Sequence, residues 1–584
     1  MTSSKISRFA YWKQWLTLMV LTLLVTLPGL TTLPVIDRDE ARFAQASVQM
    51  AETGDLINIQ FQSEARNKKP AGIYWLQAGA IKAFGKTGKR AIWVQRLPSV
   101  LGALIAVLAT YWGAARMIGR HGAFIAASML ALSTLLVFEA HIAKTDAMLC
   151  GLSALCFGAL AHIRHGGETS AVWIFWLALG ASIMIKGPVT PILVLLTFIT
   201  LAFWERRNKW MKQLFNWPAI IVFFLIWVPW AIAVWTATDG AFFVDSLGKD
   251  FGGKVISAQE KHSAPPGSYL AAIWLTFWPS CLLLIPGLAF AIRAVRKNAQ
   301  SDAPVIKAMR LSLAWILPFW VLIEIIPTKL PHYNLPLFPA LCVISAAAAL
   351  TLISVSEFKL LRRINAVLFL IISTAIIGLV MAASVYFNDV NIGYFVIGTI
   401  SGLGAIIATF ALWRNNMKLG LITAGFSAVC LIITTYQFIL PSLTQLRTTD
   451  QLTALLQANG IAFPRNGGPH VVSPDFTEPS LVYHLGTNID VSGKTDLLNM
   501  EALKTGTIII LDKLKEKAEP KLAMIRIQAE EQGFCISTSD AIEAINYSKG
   551  DEVELTITRA VPCPTPTALT NETLDEQPKL KTSP

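Results

Sequence analysis

Thirteen apolar runs, each about as long as a bilayer is thick, constrain this chain more than anything else in it. They fall near residues 14–33, 91–115, 122–138, 147–163, 171–185, 189–204, 217–236, 268–292, 309–326, 335–355, 364–386, 392–413 and 419–440. An apolar helix of about 17–25 residues crosses a hydrocarbon core of about 30 Å while satisfying its own backbone. The chain is therefore expected to be a polytopic α-helical membrane protein with about 13 transmembrane helices. Its content of 54% hydrophobic and 15% charged residues agrees, because a soluble core of 584 residues has no room for so much apolar surface.

Residues 171–204 are counted as two spans, since one helix of that length would reach about 50 Å and Lys186-Gly187-Pro188 interrupts it. The charges support the count. Arg116 and Arg120, Arg164, Arg206 to Lys212, Arg293 to Lys297, Lys359 to Arg363, and Arg414 with Lys418 occupy alternate turns that are short, basic and nearly free of acids, as cytoplasmic loops are. Lys5, Arg8 and Lys13 precede the first run, which lacks an Ala-x-Ala cleavage signal and so reads as a retained span with a cytoplasmic N-terminus. The net charge of +12 then reports topology and calls for no nucleic acid partner. Acidic and motif-bearing segments collect on the opposite, outer face, where chemistry is expected.

The densest of these segments is Ile36 to Trp75, which packs Asp37, Asp39, Glu40, Arg42, Lys68 and Lys69 beside the first span. Its pattern of Asp39-Glu40-Ala41-Arg42-Phe43, Gly54-Asp55, Lys69-Pro70 and Tyr74-Trp75 resembles the first extracytoplasmic loop of membrane glycosyltransferases that use polyprenyl-phosphate sugars. It is most similar to the ArnT family, which glycosylates lipid A and is a branch of the protein O-mannosyltransferase superfamily with the GT-C type of fold. Ala143-Lys144-Thr145-Asp146, the Lys186-Gly187-Pro188 break and Lys329 to Pro336 extend the resemblance over most of the membrane region. Such a site must stabilise a lipid-phosphate leaving group with cations and, for a hydroxyl acceptor, supply a carboxylate base.

The resemblance implies a single inverting displacement and assigns roles residue by residue. Asp39 is the catalytic carboxylate, Glu40 stands beside it, and Asp146 is a second acid. Arg42, Lys69, Lys186 and Tyr333 hold the donor phosphate, and His262 and His332 line the pocket. Plainer readings stand beside these: Glu40 as a cap or a partner of Arg42, Arg42 and Lys69 as interfacial snorkelling residues, Asp146 as a helix N-terminal charge. Lys68-Lys69-Pro70 stands where relatives often carry Glu-Lys-Pro, and without that glutamate the sequence assigns no metal. Ile73 to Phe84, apolar and aromatic but too short to span, is expected to lie in the interface plane.

The expected domains are a membrane domain over residues 1–440 with its catalytic loop at 34–90, a small periplasmic α/β domain at 441–563, and a disordered tail at 564–584. Ser442 to Asn459 and Lys521 to Gly533 read as helices; His470 to Val472, Thr507 to Leu511 and Val553 to Ala560 read as strands. An odd number of spans puts this domain in the oxidising compartment, where Cys535 and Cys563 are predicted to pair, two free thiols being the alternative. The other five cysteines lie in apolar runs as packing residues.

The leading reading is a bacterial inner-membrane glycosyltransferase that moves a sugar from an undecaprenyl-phosphate donor to lipid A or a related envelope glycolipid, surrounded by membrane lipid. A protein O-glycosyltransferase with a Ser or Thr acceptor is the enzyme alternative. A lipid-sugar flippase would spread intramembrane charge through related halves, whereas here the charges gather at one face.

Overall fold

A computed structural model describes residues 2–88, 90–167, 169–205, 209–253, 264–298, 301–351, 358–387, 390–492, 506–516 and 518–563. The chain divides into two units, Met1–Thr444 and Gln445–Pro584. The first is a helical membrane unit. Among the described residues, nine helices are long and apolar enough to cross a bilayer, and ten if a bent pair counts as one.

Helix α1 (Thr2–Thr26) leads into the first loop, which folds as α2 (Arg38–Thr53), a two-stranded ribbon of β1 (Gln60–Phe61) and β2 (Glu64–Ala65), and α3 (Gly72–Gly88). Asp37 caps α2 by accepting from the Glu40 amide at 2.8 Å, and Gly54 at φ 76° ends it by donating to the Met50 carbonyl. Then follow α4 (Ile92–Ala131), α5 (Thr134–Ala140), α6 (Asp146–Arg164), α7 (Thr169–Lys186), α8 (Val189–Trp204) and α9 (Trp217–Ala237). Small residues bring α4 and α6 together: a Cβ on Gly102 would lie 2.4 Å from Met148 Cα, and one on Gly113 2.5 Å from Gly158 Cα. Close backbone approach of this kind drives helix association in lipid, and it fixes the start of α6, where Asp146 sits. Later spans include Pro304–Ile325, Lys359–Tyr386, Ile392–Trp413 and the stretch Met417–Ser442.

Two expected spans are not single helices. The 122–138 run is helical only to Ala131; Leu132 and Ser133 break it, and the seven-residue α5 follows. Upstream, Gly119 at φ 76° already kinks α4. The 268–292 run is a Ser268–Thr276 helix and a Ser280–Lys297 segment bent by 115°. Nine residues rise only about 14 Å, so the first arm does not cross alone.

The second unit is a small α/β domain around a six-stranded mixed sheet of order β4-β3-β5-β8-β6, with β7 also on β8. Strands β3 (Val471–Val472), β4 (Ile489–Asp490) and β5 (Ile508–Asp512) run parallel; β6 (Phe534–Thr538) and β7 (Ile542–Ile545) pair antiparallel with β8 (Glu552–Pro562), as β8 does with β5. Ile509, Leu511 and Ile525 of the Ala518–Glu531 helix form its core. Cys535 and Cys563, at one end of the β6–β8 ladder, are joined by a disulfide.

Candidate active site

The first turn of α2 separates its two acids. Consecutive helical residues point about 100° apart, so Glu40 turns inward with 1% of its side chain exposed while Asp39 turns outward at 58%. Glu40 meets Arg96 of α4, which donates from Nε at 2.8 Å and from Nη2 at 3.0 Å, and the Ala143 amide donates to it at 2.8 Å. Arg96 also donates to the carbonyls of Leu30, Leu33 and Pro34 at 3.1, 2.9 and 3.0 Å. The carboxylate expected to join the chemistry is instead a buried clamp that ties α1's exit, α2, α4 and the segment before α6. Its partner is Arg96, not Arg42.

Asp39 faces a cleft of about 1050 Å³. Arg42 Nη1 lies 3.7 Å from its carboxylate and Arg66 Nη2 3.8 Å. Arg66 is itself buried, donates from Nε to the Tyr74 hydroxyl at 3.1 Å, and lies over the Phe43 ring at 5.0 Å. Burial pushes the Asp39 carboxyl up, but Arg66 foremost, with Lys144, Arg42 and Lys68, overrides it and holds the pKa at about 2.

The cleft's polar wall carries Asp39, Lys69, Lys144, Asp146, Lys186, Asp250, His332 and Tyr333. Lys186 ends α7 where Gly187, at φ 67°, turns the chain into α8, and its ammonium donates to Asp146 at 2.5 Å. Lys69 donates to Asp250 of the Val244–Gly252 π-helical segment at 2.5 Å. Lys144 Nζ stands 3.5 Å from Asp37. The cleft is also lined by apolar side chains: Phe319, Leu322 and Ile323 of the Pro304–Ile325 helix, Ile326 just after it, and Val189 and Ile192 of α8.

His332 sits between two acids, Nδ1 3.7 Å from Glu139 and Nε2 3.8 Å from Asp146. Glu139 is buried, and burial with the Asp146 charge beside it outweighs Lys144 and raises its carboxyl to about 8. The ligand-type atoms of Glu139, Asp146 and His332 lie within 4.8 Å of one another. A divalent ion there would have to displace the Lys186 ammonium from Asp146, so this donor set suits a proton or an ammonium better.

Asp39, Asp146, Lys69, Lys186, His332 and Tyr333 thus share one cleft, Arg42 borders it through Asp39, and Glu40 lies behind it. His262 lies outside the described residues. Arg66, Arg96, Glu139, Lys144 and Asp250 were not singled out from the sequence. Arg96 carried a signal, being a lone arginine inside an apolar run, where an unpaired charge is expensive.

Residues 13–239 match the model of the dolichyl-phosphate-mannose-protein mannosyltransferase family. The undecaprenyl phosphate-alpha-4-amino-4-deoxy-L-arabinose arabinosyl transferase of Edwardsiella ictaluri is 26% identical over 477 residues, covering 77% of this chain and 80% of that protein. The Aeromonas hydrophila protein of the same name is 26% identical over 330 residues, and the alignment spans 55% of this chain and 57% of that protein. The crystal structure of ArnT from Cupriavidus metallidurans bound to undecaprenyl phosphate superposes with a TM-score of 0.69 at 17% identity, covering 93% of this chain and 98% of ArnT. These likenesses show the fold: the chain is a multi-pass membrane protein that folds as ArnT does.

Proposed function

We propose that the chain transfers a sugar from an undecaprenyl-phosphate-linked donor to lipid A or a related envelope glycolipid, at the periplasmic face of the bacterial inner membrane. The observation that carries this is the mixed lining of the cleft, which combines lysines 69, 144 and 186 with apolar side chains such as Phe319, Leu322 and Ile323. That combination suits a ligand with a phosphate head and a hydrocarbon tail. On this reading the N-terminus is cytoplasmic and the Gln445–Pro584 unit periplasmic, in keeping with the basic alternate turns.

Each of these lysines is held by a carboxylate: Lys69 by Asp250, Lys186 by Asp146, Lys144 by Asp37. A donor phosphate enters by competing for these ammoniums, and after the sugar leaves they stabilise the departing lipid phosphate. Tyr333, with Lys186 5.8 Å from its ring centroid, borders the same place. Asp39 is the acid facing open space. With a pKa of about 2 it is a weak proton acceptor at neutral pH. Its fixed negative charge is better suited to stabilising positive charge on the sugar as the phosphate departs, and so to an acceptor that arrives already ionised.

The second reading is a Ser or Thr acceptor, favoured by the match of residues 13–239 to a protein mannosyltransferase family model. The test is reconstitution of the purified protein in liposomes with undecaprenyl-phosphate-linked sugars and either lipid A or Ser/Thr peptides, with released undecaprenyl phosphate as readout. Lipid-A-dependent release supports the proposal, peptide-dependent release moves it to the second reading, and no release with any donor and acceptor refutes both.

A further inference from the structure

Far from the cleft in sequence, three arginines, Arg362, Arg363 and Arg414, gather at one end of the Lys359–Tyr386 and Ile392–Trp413 helices. Among the described residues, no carboxylate lies within ion-pair distance of Arg362, Arg363 or Arg414. Arg362 is 7% exposed and gives one guanidinium N–H to the Asn415 side chain at 2.5 Å, yet its Nε is buried with no acceptor. The Nε of Arg363 is in the same condition, with its guanidinium 4.7 Å above the Trp413 ring. Arg414 lies 5.0 Å over Phe410. The Lys359–Tyr386 helix starts here with no side-chain cap and no acid in its first turn, so its positive dipole end adds to the same potential.

Buried guanidinium donors on a membrane helix are expensive when unpaired, and among the described residues, which exclude Glu357 just before the helix, no acid pairs with these. Stacking on Trp413 and Phe410 holds two of the planes in place, which leaves their edges set for a planar, bidentate acceptor. We propose that this cluster is a binding site for the phosphodiester headgroup of an anionic phospholipid. On the orientation proposed above, that lipid belongs to the cytoplasmic leaflet, where basic pockets between helices take such headgroups. The site is independent of the sugar-transfer chemistry.

The test is native mass spectrometry of the full chain in detergent with added phosphatidylglycerol or phosphatidylcholine. The wild type is expected to retain phosphatidylglycerol preferentially, and R362Q/R363Q to bind it about tenfold or more weakly. K212Q, which removes an exposed lysine of a different basic turn, is expected to change nothing. Equal retention of both lipids by the wild type, or unchanged phosphatidylglycerol binding in R362Q/R363Q, overturns the proposal. Should that double variant fail to run as a monodisperse protein, R414Q at the exposed arginine decides: weaker phosphatidylglycerol retention supports the site and unchanged retention overturns it.

Discussion

Replacing Arg96 by Met should destabilise the first loop from behind the cleft. In the folded protein the guanidinium makes five hydrogen bonds, two to Glu40 and three to the carbonyls of Leu30, Leu33 and Pro34. Both partners are buried, at 2% and 1% exposure. Truncating one partner leaves a buried carboxylate with the Ala143 amide as its remaining donor; such a change costs about 3–5 kcal/mol. The orphaned carbonyls add to that wherever water does not reach them. Removing both charges, as Glu40→Met with Arg96→Met, eliminates the uncompensated ion, so the double variant should cost only about 1–3 kcal/mol, from the carbonyls that remain. SDS-titrated unfolding in mixed micelles of the wild type, the two single variants and the double variant measures the cycle. A second readout is sugar transfer, which the double variant should retain because Glu40 lies behind the cleft. A cost under about 1 kcal/mol for Arg96→Met, or a double variant no more stable than the worse single, would show that the Arg96–Glu40 pair is not a buried clamp.

Arg66→Gln removes the main cation holding Asp39 ionised, so the Asp39 carboxyl should move up from about 2 and the acid limb of the pH–rate profile should shift to higher pH; an unmoved limb contradicts the assignment. Glu139, raised to about 8 when folded and near 4.5 when unfolded, contributes stability that is present below about pH 4.5 and lost as the pH rises towards 8. Relative to the wild type, Glu139→Gln should therefore gain stability across that window, by at most about 1.4 kcal/mol per pH unit, as read by unfolding at pH 5, 6, 7 and 8. In the second unit, Cys535→Ser with Cys563→Ser opens a loop of sequence separation 28, which should lower that unit's stability by about 3.5 kcal/mol; tryptic susceptibility of the domain with and without the bond reports it.

What could be read from the residues was what local chemistry marks. Lys186-Gly187-Pro188 announced both a helix break and a charge at its edge, because glycine and proline interrupt a helix wherever they occur together, and Lys186 does face Asp146 there. In the sequence Asp39 reads as the catalytic carboxylate and Glu40 as either a second acid or a cap or partner of Arg42. Only the helical turn, with the cap at Asp37, makes one a cleft residue and the other a clamp. The Glu40–Arg96 pair spans 56 residues and Lys69–Asp250 spans 181, and no local pattern encodes either. The 122–138 run is not one continuous helix, for a related reason. Apolar composition reports burial in lipid or protein alike, and here the protein surrounds it, with Leu130, Leu136 and Val137 all fully buried. In the second unit, β6 was missed because its residues are all half-buried, without the inward–outward alternation that marks a strand.

Whether Asp39 in this cleft drives sugar transfer to an envelope glycolipid is decided by mass spectrometry of lipid A from cells carrying the wild-type chain, Asp39→Asn, or no copy of the gene. The expected result is a sugar-sized mass increment with the wild type, absent from cells lacking the gene and reduced by about 10²-fold or more in Asp39→Asn. Identical lipid A in all three strains, with the variant stably present in the membrane, would contradict it.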